Sequence, residues 1–178
     1  NLYSEFNPVA WEDTKHAVKR ELKKVIQKAR ETGASVTIDM EQYLYKDITL
    51  EIFLETLEEE GYDKLSIAIQ SYIKDETRRD LKRIVDFARA FAERRGLAPG
   101  SFRPGIRLVK GANWDYDVAL AIQKGWPVPL YQKKHETDIA YEENARFLLQ
   151  NAEHVNPAFG THNIRTMAVV MALAEHFN

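Results

Sequence analysis

The sequence predicts an α/β fold, a partial (β/α)8 barrel of the TIM type with about four βα units, and three observations predict it. Strand-like runs alternate with runs of helical period, with little between them. Repeated β-then-α units imply parallel strands with helices packed on them. No GxG occurs in the chain, so the glycine-rich phosphate loop expected of a doubly wound nucleotide-binding sheet is missing. The third observation is side-chain parity: every strand has one apolar side and one side whose polar group falls in its C-terminal half. An open sheet covered by helices on both faces would want both sides apolar. A barrel whose upper lumen holds a polar ligand would show this split, because barrel sites lie at the C-terminal ends of strands.

Each element has its own signal. Residues 11–32 read as an amphipathic helix with Ala17, Val18, Leu22, Val25, Ile26 and Ala29 on one face. After Gly33 comes the β-rich run SVTIDM at 35–40. A helix over 49–61 ends in a glycine, and KLSIAIQ at 64–70 is the second strand. Residues 75–96 form a long helix with acids first, bases last and a glycine stop, the order a helix dipole favours. GIRLVKG at 105–111 is the third strand, followed by a helix from about 115 to 124. PVPLY at 127–131 looks extended, but Pro127 and Pro129 argue against a central strand. A helix from about 138 to 152 follows, with Thr137 or Asp138 expected as its cap. NPAFGTHN at 156–163 holds the last short strand, and Asn163 is placed to cap the terminal helix.

Composition removes several function classes. A formal charge of -2 and the lack of any basic run of five argue against a nucleic-acid partner. The longest apolar stretch, MAVVMALA at 167–174, is far too short to span a bilayer. With no cysteine, disulfides, thiol catalysis and zinc–thiolate sites are excluded, and a reducing compartment is permitted. The five histidines form no HExxH or HxH pair, so no metal is expected.

Parity then nominates the site. One set is wholly apolar: Val36, Ile38, Met40; Leu65, Ile67, Ile69; Ile106, Leu108. The other contains Thr37, Asp39; Ser66, Ala68, Gln70; Arg107, Val109. A guanidinium facing a barrel lumen cannot stay unpaired, because an isolated buried charge costs several kcal/mol, so Arg107 needs a carboxylate or an anionic or electron-rich ligand. Asp39 fits as a structural ion-pair partner or as part of a reactive site. Lys110 has the opposite parity and reads either as a solvated strand-end lysine or as a cation beside a ligand. Gly111 next to it lets a backbone approach a ligand closely. His162 shares parity with Ala158 and Gly160, a lane of small side chains. Trp114 and Tyr116 read as core or as a stacking surface for a planar ligand.

TIDMEQ, IAIQSY, RLVKGANWD, PVPLYQKKHETD and FGTHN stand in the order and approximate spacing of the proline dehydrogenase family. The chain resembles the proline dehydrogenase domain of bifunctional bacterial proline utilisation enzymes along nearly its whole length. The resemblance implies a barrel that binds FAD and oxidises L-proline to pyrroline-5-carboxylate by hydride transfer to the flavin. It implies a quinone electron acceptor, a cytoplasmic location and a peripheral contact with the inner membrane. By position, Asp39 and Arg107 would be the catalytic pair, with Arg107 against the flavin's reactive edge. Met40, Gln70, Val109, Lys110, Gly111, Thr161 and His162 would contact FAD, together with Trp114 and Asn163. One departure is Asn113, where the family often has an aromatic residue. The family's first-strand lysine and the paired arginines that hold the substrate carboxylate would fall outside residues 1–178. The resemblance therefore implies the second to fifth βα units of a barrel, inactive alone. Two alternatives stand beside it: a Schiff-base lyase using Lys110, and a non-catalytic half-barrel.

Overall fold

The protein is seen in a computed structural model that describes residues 2–7 and 9–177. Its elements run α1 (Trp11–Thr32), β1 (Val36–Ile38), a 3-10 turn (Tyr43–Tyr45), α2 (Lys46–Glu60), β2 (Leu65–Gln70) and α3 (Glu76–Arg94). They continue β3 (Gly105–Val109), α4 (Trp114–Lys124), α5 (Lys134–Gln150), β4 (Asn156–Gly160) and α6 (Ile164–Phe177). The four strands lie side by side in chain order and pair in parallel throughout. That is the sequential arc of a (β/α) barrel, as the alternating pattern and the parity split predict.

The core lies between the outer face of the sheet and the helices. Leu65, Ile67, Ile106 and Leu108 are fully buried there, against Phe53 and Leu57 of α2, Leu81 and Ile84 of α3, and Tyr141 and Leu148 of α5. On α1 the expected apolar face is buried at Val18, Leu22, Ile26 and Ala29, but Val25 is exposed. A row of lysines beside that face docks α1 on α2. Lys15 meets Glu55 at 2.6 Å, and Lys19 meets Glu55 at 2.6 Å and Glu59 at 2.7 Å.

Several boundaries differ from expectation: β3 ends at Val109, so Lys110 and Gly111 lie beyond its ladder, and three others bear on the site or its packing. β1 keeps only three ladder residues, so Asp39 and Met40 lie just past it, where the chain turns toward the 3-10 segment. α2 begins at Lys46 rather than 49. Lys46 is buried and meets Asp80 of α3 at 2.8 Å, Asp47 at 2.5 Å and Glu76 at 3.1 Å. Burial alone would lower the Lys46 ammonium, but Asp47 and Asp80 outweigh it and hold it charged. α5 begins at Lys134, not after Thr137 or Asp138. The Glu136 carboxylate accepts the Lys133 N–H at 3.1 Å and closes the helix start, leaving both expected caps inside the helix. Asn163 does cap α6 as expected, its Oδ1 accepting the Thr166 N–H at 3.1 Å.

Candidate active site

The inner face of the sheet is ordered in cross-strand rows. Lowest are Thr37, Ser66, Gly105 and Asn156, where the hydroxyls of Thr37 and Ser66 lie 2.6 Å apart. Next come Ala68, Arg107 and Ala158, and then Gln70, Val109 and Gly160. Small residues flank Arg107 on both sides. The Ala68 methyl leaves room for the guanidinium to reach over β2, where its Nη2 pairs with Asp39 Oδ1. The side chains of this pair are 44% and 63% exposed, so the pair stands on an open face rather than in a sealed core. An ion pair that exposed contributes little to stability, about 1 kcal/mol or less.

Gln70 is one row higher and buried. Its Nε2 donates to Met40 O at 3.2 Å and to Glu41 O at 3.0 Å. Those two bonds fix the amide's orientation and leave Oε1 buried with no partner among the described residues. An unsatisfied buried acceptor costs about 1–3 kcal/mol, so this oxygen awaits a donor. Met40 itself turns its side chain into the core, consistent with its apolar parity, and reaches the inner face only through its carbonyl.

Beyond β3 the chain changes direction at Gly111, whose φ of 137° few other residues tolerate. A β-carbon there would sit 2.5 Å from two carbons of the Tyr72 ring. Lys110 follows the opposite parity away from Arg107. Its ammonium pairs with Asp138 of α5, lies 3.4 Å from Thr166 Oγ1, and stands over the Tyr141 ring at 5.8 Å. An ammonium engaged by a carboxylate is a poor nucleophile, which disfavours the Schiff-base reading. Trp114 opens α4 and donates from Nε1 to Tyr131 O at 2.9 Å. Lys110, Gly111 and Trp114 share one cavity of about 340 Å³ with Tyr72, Lys133 and Asp138. Tyr116 is half exposed, so it is not core.

At the end of β4, Thr161 Oγ1 accepts the Asn163 N–H at 3.1 Å, and His162 is exposed between them. No cluster of metal-ligating side chains occurs among the described residues. Two residues went unnoticed in the sequence, Tyr72 and Asp117. Asp117 falls four positions before Ala121 on the buried stripe of α4, and an acid on an apolar stripe was the available signal.

Against known proteins, the chain matches the family model for proline dehydrogenase over residues 4–178. It belongs to the proline dehydrogenase family. Among curated members, the bifunctional protein PutA of Klebsiella aerogenes is 32% identical over 158 residues, 86% of this chain and 11% of the relative. The proline dehydrogenase of Deinococcus radiodurans is 32% identical over 90 residues, 51% of this chain and 24% of the relative. Among solved structures, proline utilization A of Bdellovibrio bacteriovorus, inactivated by N-propargylglycine, superposes with a TM-score of 0.89 at 40% identity. It covers 99% of this chain, which spans 18% of that one. The chain is thus a small part of the length of the relatives it matches. The fold these matches share is the TIM-type barrel of proline dehydrogenase, and the family is generally flavin-dependent.

Proposed function

We propose that residues 1–178 supply the second to fifth βα units of an FAD-dependent barrel that oxidises L-proline to pyrroline-5-carboxylate. The observation that carries this reading is the buried, oriented and unpartnered Oε1 of Gln70, one row above the Asp39–Arg107 pair. A planar ring system with an N–H on its edge, as an isoalloxazine has, matches that acceptor. Arg107 and the small side chains beside it offer a cation and open space on the same face.

The residues fit the group in two further ways. Gly111 has no β-carbon, which lets the Tyr72 ring pack against the strand end and line the cavity there. Thr161 and His162 stand at the end of β4, level with the end of β3. Met40, Val109, Lys110, Trp114 and Asn163 complete the proposed cofactor surface, Met40 by its backbone. When bound, the flavin would supply the two-electron acceptor for hydride from the substrate. Arg107 would stabilise the negative charge that accumulates on the acceptor as hydride arrives, and Asp39 would hold the guanidinium in place. Asn163 orients the start of α6 through its cap, and Ala68, Ala158 and Gly160 keep the face clear.

The same reading includes a quinone as the next electron acceptor and a peripheral membrane contact. No helix among the described residues is long and apolar enough to cross a membrane. The test is the visible spectrum of the whole protein purified without added cofactor, together with dye reduction by L-proline. Flavin bands and proline-dependent reduction are expected. Protein that shows no flavin absorbance, and gains none on incubation with FAD, overturns the proposal.

A further inference from the structure

The proposed site is bordered by the segments that follow β1, β2 and β3, and the carboxylate of Asp117 bonds the first two directly. Asp117 of α4 is 4% exposed. It accepts the Tyr43 N–H at 3.2 and 3.3 Å on its two oxygens, and its Oδ2 accepts the Tyr72 hydroxyl at 3.3 Å. Its own N–H donates to Asn113 O at 3.0 Å, which ties α4 to the loop that carries Lys110 and Gly111. Tyr72 closes the circuit. Its ring packs on Gly111, its N–H donates to Lys110 O at 2.9 Å, and its carbonyl accepts the Tyr131 N–H at 2.8 Å. Tyr43 is held from its other end, where its hydroxyl donates to Glu76 at 2.8 Å.

No cation pairs with Asp117 among the described residues. Burial pushes its carboxyl above the ordinary range, and only the Tyr43 and Tyr72 hydrogen bonds oppose that. A leucine, with the same branched skeleton, would occupy the position without desolvating a charge. The carboxylate is therefore present for its hydrogen bonds, and those bonds run to the segments that follow Asp39 and Gln70.

We propose that Asp117 is a positioning residue: acting through Tyr43 and Tyr72, it sets the separation of the loops after β1, β2 and β3 and so the fit of the flavin between Gln70, Arg107 and Gly111. This inference rests on the flavin reading above. Asp117 is buried behind Tyr43 and Tyr72, so its effect is transmitted through loop geometry.

The test compares Asp117→Leu, Asp117→Asn and Tyr72→Phe in the whole protein. The readouts are flavin affinity after reconstitution, the flavin visible spectrum, kcat and KM for proline, and hydrogen exchange at the Tyr43 and Gly111 amides. Asp117→Leu removes both acceptors and should weaken flavin affinity and kcat/KM on the order of tenfold to a hundredfold, the scale of a small misplacement of reacting groups. Exchange should accelerate at Tyr43 and Gly111 together. Asp117→Asn can accept from Tyr43 and donate to the Tyr72 oxygen, so it should restore flavin affinity, spectrum and turnover. Should Asp117→Leu not fold, Tyr72→Phe decides the matter: it should give a smaller loss in the same direction. Native affinity, spectrum and kcat/KM in Asp117→Leu, or in Tyr72→Phe when it must stand in, overturn the proposal. If the wild-type protein binds no flavin, the proposed function fails first. Exchange then judges the strut by itself, supporting it if both amides accelerate and overturning it if they do not.

Discussion

Along β2 and β3, the side chains that face the helices are Leu65, Ile67, Ile106 and Leu108, all fully buried. Alternating with them on the inner face are Ser66, Gln70 and Arg107, and only Ala68 there is both apolar and buried. The two faces belong to the same strands and differ in what selects their residues. On the outer face any well-fitting hydrophobe would serve, because burial is all that position asks. On the inner face the proposed function gives Gln70 and Arg107 specific tasks and asks their neighbours to leave room. Ala68 stays small so that Arg107 can cross to Asp39, and Gln70 spends its amide hydrogens on two carbonyls so that its oxygen is free. The outer face should therefore answer to volume and the inner face to chemistry.

The largest break in that contrast should come from the outer face. Ile106→Ala leaves a cavity in the most crowded layer, and losses of about 2–5 kcal/mol are usual for such truncations. Chemical denaturation of the whole protein should show that loss, with the activity of the folded fraction little changed. A large fall in kcat in the remaining folded enzyme would show that the faces are not separable. Next in size is Arg107→Met, of similar length but without charge. It should lower turnover about a hundred- to thousandfold, as for loss of a charge-stabilising donor, while the melting temperature barely moves. Within the described residues the Asp39–Arg107 pair is open to solvent, so the packing of these units depends little on it. Near-normal turnover in a flavin-loaded variant would reject the catalytic role.

The same contrast explains what was legible in the sequence. The strands, their order and the outer core could be read because period-two apolar patterning is local and burial enforces it. Asp39, Gln70 and Arg107 were legible as polar interruptions of that pattern. Lys110 is legible by parity as pointing elsewhere, but its partner Asp138 lies 28 residues away, where local sequence reads as a helix cap. The start of α5 was misplaced for a related reason: the closing group is the Glu136 carboxylate returning to Lys133, not a Thr or Asp side chain. Asp117 and Tyr72 escaped because each works only through the other and through Tyr43, 74 residues from Asp117. Contacts between loops carry no period for a single sequence to display.

A smaller effect is expected at the strand end, where the two faces meet. Gly111→Ala places a methyl inside the Tyr72 ring and asks a non-glycine residue to hold a φ of 137°. Strain of this kind costs about 1–3 kcal/mol. The loop should shift rather than the core unfold, so flavin affinity should fall more than the melting temperature does. Equal loss in both would mean that Gly111 serves packing alone.

The smallest prediction sets two carboxylates against each other. At Asp138, burial favours the neutral acid, but hydrogen bonds from Lys110 and Lys134 outweigh it and hold the group below its ordinary value of 3.8. A depressed folded value means that the unfolded chain takes up protons first as pH falls. Asp138 therefore contributes stability above the ordinary value and loses it as pH drops through the depressed one. At Asp117, burial wins and the folded value lies above 3.8. There the folded protein holds its proton longer, so stability declines as pH rises from the ordinary value through the raised one. Stability differences between the wild type and each asparagine variant, followed from pH 3 to pH 7, should consequently bend in opposite directions. The Asp138→Asn difference should grow with pH to a plateau on the order of 1 kcal/mol, the scale of a partly exposed pair. The Asp117→Asn difference should shift in the variant's favour over the same rise. Parallel curves would mean that Asp117 is paired with a cation after all, and that the loops after β1 and β2 are held by charge rather than by the hydrogen bonds of a solitary carboxylate.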